Sequence, residues 1–474
     1  MQIPFQKSLS IFTPLESPSI YAGDGRNRKH QLLIKGGVKA LLFLMGFTLI
    51  VIFFSFIFAG EALSKTIKKT PQTKPTQATP SKKKVEPAAK EAPSQSSPQG
   101  PLQCDAQSAV LIDGLTGEIL YQQNPDMRIP PASFVKVLTL YLVFDGIRAG
   151  QMKMDDMVTV SEKAWRSAWK TDSSAMYIKV GERVKVEDLI KGVAIASGND
   201  ACIALAEHLA GSEEAFVSKM NEKAKALGMN DSQFKNSHGL PAEGQYVTAL
   251  NMAILARRYI EDHPQSLTLH SATEFEYNGI RQGNRNLLLY KNIGVDGLKT
   301  GYIRESGYHL VATAKRDSQR MIAVVMGCDK VKKRAPEAQK LLEYGFKNFS
   351  TVEAVKKGAS FGSLKVKRGK MDRVSLTASE DGRVTVPKGK ENLVSAIPQL
   401  PAFVSAPIQK GQVLAKVLIQ KEGKTIKEVN LFSQSDVQKS LIPPWPILVG
   451  SILGLVLLCV IGLWFFRRPP RRKL

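Results

Sequence analysis

No two of the four cysteines, Cys104, Cys202, Cys328 and Cys459, form a C-x-x-C pair, so zinc ribbons and dithiol redox motifs are excluded. Cys459 lies inside an apolar segment, and Cys202 and Cys328 lie in apolar surroundings of the kind that bury inert thiols. An oxidising compartment would leave a disulfide open, but the spacing identifies no pair. The six histidines never fall in an H-E-x-x-H pattern, so a zinc peptidase has no visible ligands and no metal or other cofactor is expected. Acidic residues are scarce: 42 stand against 66 basic ones, a formal charge of +24. That excess lacks the basic-aromatic interleaving of a nucleic-acid face, so no nucleic-acid partner is expected. Much of it sits in a linker and two tails, where it reads as charge flanking membrane spans.

Residues 1–39 form a polar to mixed N-terminal segment that carries Arg26, Arg28, Lys29, Lys35 and Lys39. Charge is then absent from 40–60, a stretch long enough to cross a bilayer as a helix. It reads as an uncleaved anchor or as a signal segment cut after Ala62. Either way the basic residues ahead of it keep 1–39 in the cytoplasm and send the following chain out. Residues 64–103 are rich in Pro, Lys, Thr, Ser and Gln and cannot bury enough apolar surface to fold, which makes them a linker. A second apolar run at 447–466, with Trp445 and Trp464 near its ends, reads as a transmembrane helix. The basic tail 467–474 then returns to the cytoplasm. Membrane lipid is thus a partner through one or two spans.

Between the spans, the organising stretch is Pro130-Pro131-Ala132-Ser133-Phe134-Val135-Lys136, followed by an apolar run to about Phe144. It is greasy on nearly every side, as a buried central helix is. Two prolines suit the start of a helix, where missing backbone donors do no harm. Ser133 falls in the first turn, where free N–H groups favour a developing oxyanion. Lys136, three residues on, shares its face, and a lysine among apolar neighbours can lose its proton and serve as a base. Alone the spacing is weak, because Ser81-Lys82-Lys83-Lys84 repeats it in the linker. Ser197-Gly198-Asn199 follows 64 residues after Ser133, and Lys299-Thr300-Gly301 another 102 after Ser197. Ser-x-x-Lys, Ser-x-Asn and Lys-Thr-Gly in that order form the signature of penicillin-recognising serine enzymes.

Alternation and turn residues predict strands at Ser108–Ile112 and Glu118–Tyr121, then the central helix. Helices are predicted at 188–196, 200–209, 213–227 and 248–260, so Ser197-Gly198-Asn199 occupies a short connection. A short strand runs into Lys299-Thr300-Gly301, and two more follow at 308–314 and 321–327. Strands at both ends of the segment with helices between predict an α/β (α+β) catalytic domain, 104–350, built on an antiparallel sheet. Short strands between Gly- and Lys-bearing turns predict a small all-β domain, a sandwich at 352–437, with no catalytic grouping.

On these motifs, with Asp113-Gly114-Leu115-Thr116-Gly117, His238-Gly239-Leu240, Asn284-Arg285-Asn286 and Val295 through Tyr302, the chain from about Gln107 to Phe432 resembles the serine D-alanyl-D-alanine carboxypeptidases. These are the low-molecular-mass penicillin-binding proteins of bacterial cell walls. The resemblance implies the penicillin-binding, β-lactamase-like transpeptidase fold and removal of the terminal D-alanine from peptidoglycan stem peptides. It makes β-lactams the inhibitors and places the catalytic domain in the periplasm on the inner membrane. It implies Ser133 as acylated nucleophile, Lys136 as its base and Ser197 as proton relay. It further implies Asn199 as an amide donor to the substrate, Lys299 and Thr300 as carboxylate contacts, Gly301 as an open edge, and Arg334 as a further carboxylate contact or a surface arginine. His238 is expected to be structural. Val135, Ser173 and Asn251 depart from the family's usual Thr, Gly and Asp, and none of these changes removes a catalytic group. A full C-terminal span replaces the family's usual amphipathic anchor. A class A β-lactamase would need a Glu-x-x-Leu-Asn loop after Ser197, which is not found. A D,D-endopeptidase with the same site and a catalytically weak wall-binding scaffold remain the alternatives.

Overall fold

A computed structural model describes residues 102–169, 173–441 and 445–467. The expected segments 1–39 and 40–60, the linker up to residue 101, the decoy Ser81 and the tail beyond Arg467 lie outside the described residues.

A five-stranded antiparallel sheet carries the region that holds the three motifs. Its strands are β1 (Ser108–Asp113), β2 (Ile119–Gln123), β3 (Val295–Ile303), β4 (Gly307–Arg316) and β5 (Gln319–Cys328), in the order β2-β1-β5-β4-β3. All six residues of β1 are buried, because both faces of the sheet are covered. One face packs on a large core containing helix α1 (Val135–Arg148), in which ten residues are buried, Lys136 and Thr139 among them. The other packs on Ala335, Ala338, Leu341 and Leu342 of helix α3 (Val331–Asn348). That explains why α1 shows no polar face while α3 does: one lies inside, the other on the surface. Strand β3 is nine residues long and forms the sheet edge, so the expected short strand is an under-reading. Register fixes Lys299 opposite Val311, and Val311 opposite Val324.

The predicted helix over 188–196 divides in the structure. An α-helix covers Val186–Lys191, and a π-helical turn covers Gly192–Ala196. Ser197 adopts φ 64°, and helix α2 begins at Asn199 and runs to Ala210. The wider turn and the left-handed residue turn the chain sharply, and such π-turns collect at functional sites. The other two predicted helices, Glu213–Ala226 and Ala249–Asp262, have Ser212 and Thr248 as side-chain caps.

The β-rich part contains a six-stranded sheet and a two-stranded sheet packed over an apolar core of Val355, Leu376, Val384, Val417, Ile419 and Leu431. Strands at Phe349–Val355, Val394–Gln399 and Val404–Ser405 escaped the sequence reading. The first of these follows α3 directly and pairs with Gly382–Pro387, so the expected division between 350 and 352 falls inside a strand. Tertiary pairing extends this strand where composition changed only gradually. Among the described residues one helix, Trp445–Phe466, is long and apolar enough to cross a membrane, and none of it is buried in protein.

Candidate active site

Three elements bring the motifs together: a single 3-10 turn, Ala132–Phe134, that runs into α1; the bend at Ser197; and the edge strand β3. The turn is strained before the serine, since Ala132 has φ 49°. A left-handed non-glycine residue costs about 1–2 kcal/mol. Gly239 closes over this turn, and a Cβ there would stand 1.8 Å from the Ala132 carbonyl oxygen, so no side chain fits. Gly301 is approached by Pro131 and Ala132, with a Cβ 3.3 Å from the Ala132 Cβ. Its missing side chain lets the turn and β3 sit close together.

A hydrogen-bonded chain links the motif side chains. Lys136 Nζ lies 3.0 Å from Ser133 Oγ, Ser197 Oγ lies 3.1 Å from Ser133 Oγ, and Lys299 Nζ donates to Ser197 Oγ at 2.9 Å. Lys136 also donates to Asn199 Oδ1 at 2.6 Å and to the His238 carbonyl. An ammonium has three protons, and these three oxygens match them. When neutral, the amine keeps the two donations to Asn199 and His238 and turns its lone pair to Ser133. The Lys136 pKa is lowered to about 8, by burial first and with help from the Arg285 cation, while Cys202 and Asp200 oppose the shift. Lys299 is driven well below its usual value, by burial first and then by Lys136 and Arg285.

The cleft has a volume of about 120 Å³, and no acidic side chain lines it. Thr300, Gly301 and Tyr302 of β3 line it together with Ser133, Ser197 and Asn199. Arg334 is 8% exposed, so it is not a surface arginine. It reaches from α3 to the Gly301 carbonyl at 3.4 Å and to the Arg285 carbonyl at 3.4 Å. Four basic side chains, Lys136, Lys299, Arg285 and Arg334, gather at a cleft that no carboxylate lines, so an incoming anion is favoured there.

Asn199 splits its amide: Oδ1 faces Lys136, while Nδ2 donates to Ser173 Oγ at 2.9 Å. One amide proton is left for a ligand. The His238 ring serves its own loop. Nδ1 accepts from the Leu240 N–H at 3.1 Å, and Nε2 faces Glu213 at 3.5 Å. Val135 is fully buried in the core, and Asn251 Oδ1 accepts from the Asp231 N–H and the Ser232 hydroxyl.

Two contributors went unassigned in the sequence. Arg285 lines the cleft and donates to Ser174 Oγ at 2.6 Å. Its only signal was the quoted Asn284-Arg285-Asn286 run. Asp200 is fully buried and accepts the backbone N–H groups of Met176, Tyr177 and Ile178, holding the loop that carries Ser174. Burial raises its pKa against those backbone bonds. Its position beside Asn199 was the available hint.

A family model described as D-alanyl-D-alanine carboxypeptidase matches residues 92–330, half of the chain. This chain belongs to the D-alanyl-D-alanine carboxypeptidase family. A second model, described as penicillin-binding protein 5, C-terminal domain, matches 349–439. The D-alanyl-D-alanine carboxypeptidase DacC of Escherichia coli (strain K12) is 42% identical over 339 residues, 71% of this chain and 85% of the relative. DacA of Haemophilus influenzae is 41% identical over 360 residues, 75% of this chain and 91% of the relative. The crystal structure of penicillin binding protein 5 from Haemophilus influenzae matches with a TM-score of 0.64 at 40% identity, covering 72% of this chain and all of that one. Like the family's name, these matches fit a serine hydrolase with an appended β-domain.

Proposed function

We propose that this protein is a serine-type D-alanyl-D-alanine carboxypeptidase that trims peptidoglycan pentapeptide stems through an acyl-enzyme on Ser133. The observation that carries the residue roles is the unbroken chain Lys136–Ser133–Ser197–Lys299 along one cleft. Neutral Lys136 takes the Ser133 proton as Oγ attacks the carbonyl of the penultimate D-alanine. Charge developing on the carbonyl oxygen meets backbone N–H groups of the 3-10 turn and of the edge strand β3. Ser197 relays the proton that Lys136 took to the departing amine, so D-alanine leaves and the lysine is neutral again. Water, deprotonated by the same lysine, then releases the shortened stem. Lys299 and Thr300 receive the terminal carboxylate, with Arg334 and Arg285 adding to the field. Asn199 offers its remaining amide proton to the stem peptide.

β-Lactams are inhibitors in this reading, because the strained amide and carboxylate present the same two groups to Ser133 and Lys299. The apolar helix Trp445–Phe466 supports attachment to the inner membrane, with the catalytic region in the periplasm. The test is release of free D-alanine from a pentapeptide ending in D-Ala-D-Ala by the detergent-solubilised full chain. Release should vanish in Ser133→Ala, and persistence there would overturn the assignment.

A further inference from the structure

The β-rich part has a cationic edge beside the point where the chain leaves for its apolar helix. Three segments meet there. Val366 and Lys367 pair with Val404 and Ser405, and Gly369 bridges Lys439. The Lys370 N–H donates to the Gln438 carbonyl, and the Ser440 N–H to the Arg368 carbonyl, both at 2.8 Å. Between this edge and Trp445 lie only the residues that follow Leu441. Four Cα steps at full extension span about 14 Å. If Trp445–Phe466 crosses the bilayer, Leu441, at the end of this edge, is held within that reach of the helix's first residue.

The chemistry of the edge fits that neighbour. Lys367, Arg368, Lys370 and Lys439 lie on it, Lys365 and Arg373 pair beside it, and all six are exposed, against the acidic Asp372 and Asp436. Among the described residues none of these six is ion-paired. Elsewhere in the same region Arg383 pairs with Glu353 and Lys416 with Glu428. Large apolar side chains stand among the cations: Met371 is 46% exposed, Phe403 44% and Leu441 93%. Lys367 lies 3.1 Å above the Phe403 ring centre. Unneutralised basic residues beside exposed apolar ones match an anionic bilayer surface, where headgroups take the charge and the interface takes the side chains.

We infer that this edge docks on anionic phospholipid and fixes how the β-rich part stands on the membrane. The inference rests on the reading of Trp445–Phe466 as a span and is independent of the catalytic roles.

The full chain is reconstituted in vesicles of phosphatidylcholine alone or mixed with phosphatidylglycerol. A polar fluorophore is attached at Met371→Cys in a Cys459→Ser background, since Cys459 is the one exposed cysteine among those described. Nitroxide-bearing lipid should quench it strongly with phosphatidylglycerol and weakly without. Each basic residue near such a surface biases docking about fivefold. Lys367→Glu with Lys370→Glu should therefore shift the docking equilibrium at least about 25-fold and return quenching to the phosphatidylcholine level. A second label at Phe403→Cys reports the same face should the first disturb folding. Equal quenching in the two lipids, quenching no greater than at Met127→Cys in the catalytic region, or release of the label from vesicles by soluble wall fragments would overturn the proposal. D-Alanine release from a soluble pentapeptide should be unchanged in the double variant. Loss of release in every chain, wild type included, would count against the catalytic reading while quenching still decides the docking.

Discussion

The catalytic region buries charge, and the β-rich region does not. Lys136, Lys299, Arg334, Asp200 and Glu213 are all nearly or fully buried in the first. In the second the buried polar side chains are Thr385 and Ser433, both neutral. Strain divides the same way. Ala132 and Ser197 hold positive φ at the site, whereas Arg368 and Glu422 hold it at strand turns, where left-handed residues are ordinary. Unpaired burial of charge costs several kcal/mol per group, so it persists where surrounding packing enforces it. The difference teaches where each region spends stability: one holds a cationic cleft in readiness, the other packs apolar strands and leaves its cations on the surface.

The sharpest way to break this contrast is to remove the group the cleft serves. Ser133→Ala should lower D-alanine release on the order of 10⁶-fold, as nucleophile removal does in other serine hydrolases. Intact-mass spectrometry after penicillin exposure should show one added drug mass on the wild-type chain and none on this variant. Labelling that survives the substitution would move the nucleophile elsewhere.

Lys136→Met comes next. It keeps bulk in the core but removes the proposed base, so acylation should slow by about 10²–10⁴. The wild-type pH profile carries the same information. In the proposed mechanism acylation needs neutral Lys136, whose pKa is lowered to about 8. The value of kcat/KM should thus climb about tenfold per pH unit up to that point and then level. A profile flat from pH 6 to 9 would reject Lys136 as the base. The sign for stability follows from the same depression. Between about 8 and the usual 10.5, the unfolded chain binds the proton that the folded one has lost, so this group's contribution to stability rises with pH across that window.

Lys299→Ala should weaken turnover of substrates with a free terminal carboxylate more than of the matching amides. A charge-assisted hydrogen bond is worth about 1.5–3 kcal/mol, or about 10- to 150-fold in kcat/KM. Equal losses on both substrates would show that Lys299 acts through Ser197 and not through the carboxylate.

These residues were legible because their chemistry is written in short, ordered motifs: Ser133 and Lys136 one helical turn apart, then Ser197, then Lys299. The central helix was legible for a related reason, since burial on all sides leaves an unbroken apolar run. Ser197's left-handed turn was not, because a π-helical widening leaves no periodic mark and 188–196 reads as one helix. Arg285 was hidden because its role depends on a neighbour far away in sequence, Ser174, and a lone arginine in a polar run carries no pattern. Strand 349–355 was missed for want of a partner: only pairing with Gly382–Pro387 makes it a strand, and its sequence continues smoothly from α3.

The smallest effect tests the seam between the two regions. Asp113, at the end of β1, is fully buried. Its Oδ1 accepts the N–H groups of Leu115 and Thr116 at 2.8 and 3.2 Å. Its Oδ2 accepts hydroxyls from across the seam, Thr351 at 2.5 Å and Thr385 at 2.8 Å. Thr385→Val preserves shape and deletes one of these four bonds. A net hydrogen bond contributes about 0.5–1.5 kcal/mol, and the Thr116 hydroxyl, 2.6 Å from Thr385 Oγ1, loses a partner as well. The expected loss is therefore about 1–2 kcal/mol, read as a lowered Tm. Catalysis should be unaffected, because Asp113 aligns through Met321 and Ala314 with Val295. Val295 lies six residues along β3 from Gly301, about 20 Å away. A fall in kcat/KM as large as the fall in stability would mean that the β-rich part shapes the cleft and that the two regions are less separate than their buried charges make them.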